Sequence, residues 1–383
     1  MKRTSLMIAV LGIFLAAQIA QAQWTPTKRL TWNSGDSRGP AIATDSSGNL
    51  HLVWFDSTPG LAKIYYKKST DGGATWAANK RITWTSGWSG YPAIAVDSSD
   101  NLHVVWWDSA PGNNEIYYTK STDGGATWTA SRRLTWTSGS SLYPALAVGF
   151  SGNLHLVWYD DTPGNSEIYY RKSSNGGVTW TTSQRLTFTS GRSIYPAIAV
   201  DSIGSVHVIW SDETPGNLEI YHKKSTDGGA TWTANQRLTW TLGAASYGAS
   251  IAVNPSGTLQ LVWNDFAPGN EEIYYRKSTD GGTTWTPSQR LTWTSGSSLY
   301  PAIGVDSLGG LHVIWQDDTP GNNEIYYKKS TDGGAIWTAN QRLTWTSGQT
   351  RWPNIAVDFS DNLHAVWWDD TPGNNEIYYK KGK

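Results

Sequence analysis

Short runs of alternating apolar and polar residues recur along the chain, broken by turns rich in Gly, Pro, Asn and Asp. In one stretch these runs are Tyr91 to Asp97, Leu102 to Asp108, Glu115 to Lys120 and Arg132 to Trp136. Between them lie turn signals such as Asp97-Ser98-Ser99-Asp100-Asn101 and Pro111-Gly112-Asn113-Asn114. A period of two over five to seven residues, bounded by turn formers, predicts antiparallel strands.

The four-run pattern repeats. Ser-x-Asp-Gly-Gly-x-Thr-Trp occurs at Ser69 to Trp76 and Ser121 to Trp128, and variants end at Trp180, Trp232, Trp285 and Trp337. Its third position is Asp71, Asp123, Asn175, Asp227, Asp280 and Asp332, spaced by 52, 52, 52, 53 and 52 residues. A period near fifty with four short strands per unit predicts an all-β fold, a seven-bladed β-propeller of 52-residue repeats. Seven units follow from the first strand, at Pro40, Pro92, Pro144, Pro196, Gly248, Pro301 and Pro353. The chain stops after the third strand of unit seven, and residues 24 to 32, ending in Arg29-Leu30-Thr31-Trp32, read as its missing fourth strand. Pairing the N-terminal strand with the last blade would close the ring and remove an open sheet edge.

Composition narrows the function. The 30 Lys+Arg balance 31 Asp+Glu, which argues against a nucleic-acid or anionic-membrane partner. Cysteine is absent, excluding thiolate metal sites and a cysteine nucleophile. Lys2 and Arg3, the apolar run from Leu6 to Ala17, and Ala20-Gln21-Ala22 together predict an export signal over residues 1–22. The expected domains are that signal and a propeller over 23–383, secreted or periplasmic, with no membrane span.

Some recurring residues have structural explanations. Alternating small residues, Ala93 and Ala95, suit an innermost strand crowded around the axis. The box Asp (or Asn175) can accept hydrogen bonds from turn amides while Gly-Gly supplies unusual backbone angles and the Trp packs into the blade. A repeated His, as at 51 and 103, faces an Asp such as 45 and 97, and becomes Gln260 with Asn254 in unit five. The third unit sets Gly149 beside His155. Repetition around the ring favours a buried hydrogen-bonded pair over a catalytic dyad. The box supplies too few regularly spaced oxygen ligands for calcium, so no metal or cofactor is expected.

The form Ser-Thr-Asp-Gly-Gly-Ala-Thr-Trp, at 69 to 76, 121 to 128 and 225 to 232, resembles the Asp-box of the sialidase-like (BNR-repeat) propellers. That resemblance covers the chain beyond the signal and implies that the boxes lie on the face opposite the ligand. The ligand face then carries the loops from second to third strand and from fourth strand to the next blade. Two positions vary there among otherwise similar units, the second holding Phe55, Trp107, Tyr159, Ser211, Asn264, Gln316 and Trp368. Unit five carries an extra residue around Ala244-Ala245-Ser246. Ring closure makes blades seven, one and two consecutive, which gathers Arg351, Trp352, Trp368, Arg38, Phe55, Trp88 and Trp107 as a ligand-binding set. Arg192 is a further donor across the ring. Aromatic platforms beside guanidinium donors suit a sugar or an anionic glycan.

A sialidase resembling this family would need three Arg, a Tyr and Glu pair and an acidic Asp. Arg38-Gly39-Pro40 and Arg351-Trp352-Pro353 partly match the family's Arg-Ile-Pro motif, yet no nonrepeated Glu-Tyr constellation stands out, and no catalytic residue is assigned. The expectation is a non-catalytic propeller recognising an extracellular glycan or glycoprotein, with an exo-sialidase and a structural or protein-interaction ring as alternatives.

Overall fold

The computed structural model describes residues 21–149, 151–241, 243 and 245–383. The expected export signal lies outside them except for Gln21 and Ala22, as does Ala244 in unit five. Among the described residues the chain forms 28 strands in seven four-stranded antiparallel sheets, a seven-bladed propeller. Blade two is typical, with strands Ser89–Val96, Leu102–Asp108, Glu115–Ser121 and Arg132–Arg133.

The outermost strand is two residues long rather than five, for a local reason. After Arg133 the ladder keeps one bond, Leu134 N to Ile116 O, while Ile116 N donates to the Thr135 hydroxyl instead of a backbone carbonyl. The chain therefore leaves the sheet and turns Trp136 into solvent. The same departure in every blade produces an outer crown of Trp32, Trp84, Trp136, Phe188, Trp240, Trp293 and Trp345, between 65% and 74% exposed.

Blade seven closes as the sequence predicts. Lys28 and Arg29 pair with Tyr379 and Tyr378, and Trp24 bridges Gly382. Ala22 and Leu30 are buried.

The box tryptophans pack between blades rather than into their own. Trp128 meets Tyr66 of the preceding blade at 5.1 Å, Trp76 meets Tyr379 across the closure, and Trp24 completes the ring on Tyr327. Asp71 organises its turn by accepting from Thr75 N and from the Ser69 hydroxyl, both at 2.8 Å. Asn175 reproduces these bonds through Oδ1. At Gly73 (φ 88°) a Cβ would lie 2.0 Å from the Tyr379 hydroxyl, so both conformation and space demand glycine.

The repeated histidine is buried. His51 bonds Asp45 through Nε2 (3.1 Å) and the Tyr66 hydroxyl through Nδ1 (2.8 Å), and Tyr66 donates to Gly124 O of the next box. This relay ties the turn after the first strand to the neighbouring blade. In blade five Gln260 takes the tyrosine contact, accepting from Tyr275 at 2.6 Å. His222 stands where other blades have Tyr, bonding His207 at 3.2 Å. Burial pushes His155 down to about 4 and His222 to about 3.

Candidate functional site at the axial mouth

The strand ends fix two faces. Ser37, Asp56 and Lys63 share one end of blade one, whereas Thr44, Leu50 and Ser69 share the other, from which the Asp-box projects. The variable positions lie at the first end. They form register pairs, Arg38 opposite Phe55, Gly90 opposite Trp107 and Arg351 opposite Trp368.

Every first strand has a register shift just inside this pair, and the bulged residue is left-handed. Five of these residues are aromatic: Tyr91, Tyr143, Tyr195, Tyr300 and Trp352, with φ from 49° to 54°. Gly39 and Gly248 occupy the same place in blades one and five. A left-handed bulky residue costs about 1–2 kcal/mol, and strain of this kind collects where function requires a side chain to be aimed. Here the bulge turns the rings toward the axis. Tyr300, Trp352, Tyr91, Tyr143 and Tyr195 touch in sequence, with centroids 4.6–5.2 Å apart, forming an arc. Trp352 and Tyr91 meet across Gly39, while the arc is open at Gly248. Beneath it is a cavity of about 340 Å³, carpeted by Pro40, Pro92, Pro144, Pro196, Pro301 and Pro353.

A second hollow of about 360 Å³ adjoins it and holds Arg38, Phe55, Trp88, Arg351, Trp352 and Trp368 together. Arg38 and Arg351 lie over the same indole, their guanidinium carbons 5.6 and 5.8 Å from the Trp368 ring. Arg38 also pairs with Asp36 at 3.0 Å. Partial burial opposes ionisation of Asp36, but hydrogen bonds from Asn375 and the charge of Arg38 outweigh it and hold the carboxyl below its usual range. Arg351 Nη2 reaches Gln349 at 3.3 Å, and its buried Nε has no partner among the described residues. Trp107 stands behind Trp88, centroids 4.4 Å apart, and supports the groove from its side. Gly90 is glycine because the Trp88 ring passes 2.0 Å from where a Cβ would be.

Arg192 does not join this set. It lies on blade four, far around the ring from blades seven, one and two, and Glu213 captures it at 2.8 Å. The sequence reading also missed the axial arc. Its signal is present as an aromatic-Pro dipeptide in five repeats, but alternation assigns no direction to a bulged residue. A Tyr and Glu pair was missed as well. The Tyr247 hydroxyl donates to Glu271 at 3.3 Å and the Ser297 hydroxyl to the same carboxylate at 2.6 Å. Glu271 occupies a position held by Asn114, Ser166 or Leu218 in other blades. Burial, and then the Glu271 charge, push the Tyr247 phenol up.

The BNR repeat-like domain model matches residues 88–313. The chain belongs to the BNR repeat-like family. It is 24% identical over 357 residues to a sialidase of Bacteroides fragilis, covering 82% of this chain and 56% of the relative, so it spans little over half that protein's length. A fucose-specific lectin of Aleuria aurantia is 26% identical over 244 residues, covering 61% of this chain and 68% of the lectin. Among solved structures, an α-L-arabinofuranosidase of Fusarium graminearum superposes with a TM-score of 0.58 at 13% identity, covering 77% of this chain and 93% of that one. The sequence relatives thus include a sialidase and a lectin, and the solved arabinofuranosidase shares the fold.

Proposed function

We propose that this BNR propeller is an exported carbohydrate-binding protein whose axial mouth recognises an anionic glycan without chemistry. The observation that carries the reading is the pair of guanidinium groups over Trp368, beside the aromatic arc and open to a hollow of sugar size. Pyranose faces stack on aromatic rings, and a carboxylate or sulfate satisfies guanidinium donors, including the orphaned Arg351 Nε. The lectin and sialidase relatives support carbohydrate as the ligand class. The charged start and apolar run of residues 1–22 support export. Glycan-array binding followed by calorimetry tests the reading, with Arg38→Ala and Arg351→Ala expected to lose acidic glycans and Ser140→Ala to keep them. Equal affinities in all three, at equal melting temperatures, remove the mouth from the account.

Hydrolysis is the second reading, favoured by Tyr247 beside Glu271, where the carboxylate could accept the phenol proton. Release of a fluorogenic aglycone from a sialoside, abolished in Tyr247→Phe, supports that reading over simple binding.

A further inference from the structure

The crown of exposed aromatics around the outer edge has no part in the axial mouth. Each ring has a structural inner side. Within its blade it covers an arginine, which a buried glutamate holds in six of the seven; Arg133 lies 5.5 Å from the Trp136 ring and pairs with Glu115 at 2.7 Å, whereas in blade one Lys63 takes the glutamate's place near Arg81. That ion pair accounts for the covered face. It does not account for an aromatic in all seven repeats with some two-thirds of its area in water, since an aliphatic chain would cover the arginine with less exposed apolar surface.

The next blade adds a second cation at four of these rings. Arg276 lies 5.9 Å from Trp240, Lys328 5.9 Å from Trp293, Lys380 5.6 Å from Trp345 and Lys67 5.9 Å from Trp32. Lys67 and Lys328 are 6% exposed and Lys380 8%, whereas Arg276 is half-buried; each donates to a backbone carbonyl of the preceding blade, as Lys328 does to Leu291 O, and no carboxylate forms an ion pair with them among the described residues. The nearby acids are turned inward. Glu272 has a fully buried side chain, and Asp265 is taken by Ser246 and Thr241. At Trp240 the surfaces of blades four and five enclose a cleft of about 450 Å³, lined by Trp240, Thr241, Asp265, Tyr274, Arg276 and Ser288. At Trp240 an exposed indole beside the half-buried Arg276, with hydroxyls at hand and the carboxylates committed, is complementary to a sugar ring bearing negative charge.

We propose that the crown is a second, repeated binding surface, on which a polyanionic polysaccharide lies around the rim with pyranose faces on the aromatics and carboxylates on the rim cations. Placing one exposed ring in each blade makes the interaction multivalent, so weak single contacts sum to firm retention. Trp84 is the built-in weak position of the crown, because Thr119 stands where the other blades have Lys or Arg. The proposal is independent of the mouth reading.

Affinity electrophoresis of the whole propeller in gels containing polygalacturonate or alginate tests it, with fully methyl-esterified polygalacturonan as the neutral control. The acidic polymers should retard the protein and the ester should not. The triple variant Trp136→Ala, Trp240→Ala, Trp293→Ala should lose at least tenfold in affinity, measured both in the native chain and in the mouth variant Arg38→Ala with Arg351→Ala, so that acidic polymer held at the mouth is separated from that held at the rim. Should the triple variant melt early, Arg276→Gln with Lys328→Gln keeps the indoles, removes one inter-blade hydrogen bond at each of two blades, and at an unchanged melting temperature should still weaken retention severalfold. Absence of retardation by both acidic polymers, equal retardation by the ester, or loss in the mouth variant with none in the rim variants overturns the proposal.

Discussion

Removing residues 22–32 probes the point on which the ring depends. The segment contributes Leu30, 3% exposed, and the half-buried Trp24 against Tyr327. It also makes four backbone hydrogen bonds outside the short strand pair: Gln23 N to Lys383 O, Thr25 N to Lys381 O, Leu30 N to Ile377 O and Lys383 N to Gln23 O. Burial of the leucine stabilises by about 2 kcal/mol and half-burial of the indole by about 3. The four hydrogen bonds contribute about 1 kcal/mol each. Together these approach the whole stability of an ordinary domain, about 5–15 kcal/mol. The deletion also leaves the strand of Ile377 and Tyr379 as an unpaired edge, which recruits other chains. Size-exclusion chromatography and thermal unfolding should show aggregation or loss of a cooperative transition. A gentler comparison is Leu30→Ala against Leu134→Ala, equivalent residues in the closing blade and in blade two. Each should cost about 2–5 kcal/mol, because each leaves a cavity in a similar sheet. A soluble monomeric deletion mutant with unchanged melting, or a Leu30→Ala cost far below that of Leu134→Ala, refutes the closure argument.

Acid should destabilise the propeller in a defined window. His155 and His222 have folded values near 4 and 3, below the unfolded 6.5, so their contribution is complete above pH 6.5 and is lost as pH falls toward 4 and then 3. His222→Tyr, which installs the residue found in the other blades, should raise the melting temperature at pH 5 more than at pH 7.5. Equal shifts at both values contradict the assignment. Asp123→Ala should lower the denaturant midpoint through lost turn bonds, while Asp123→Asn should be milder because Asn175 already makes these bonds; denaturant melts compare the two. Gly90→Ala should displace Trp88 and weaken glycan binding at the mouth about tenfold, read by calorimetry, with little change where Trp107→Ala has already been made.

The sequence by itself determined what depends on short-range regularity. Alternation of period two marks the strands, the box carries its own hydrogen bonds within a few residues, and a 52-residue repeat with a misplaced fourth strand implies a closed ring. Even the gathering of Arg38, Trp88, Arg351 and Trp368 follows, because circular order is set by strand counting. Only the tertiary structure decided what depends on direction. The box Trp crosses to the preceding blade, where Trp76 meets the edge of Tyr379, the same ring whose hydroxyl crowds Gly73. A left-handed bulge, invisible to alternation, swings Tyr91 and its counterparts toward the axis. Arg192 satisfies the same donor pattern as Arg38, yet Glu213 and the width of the ring remove it from the mouth. Tyr247 and Glu271 lie 24 residues apart and meet because one follows the bend after the fourth strand and the other precedes the third. Repetition encodes the scaffold many times over, whereas each of these contacts occurs where two blades, or two ends of one sheet, happen to approach.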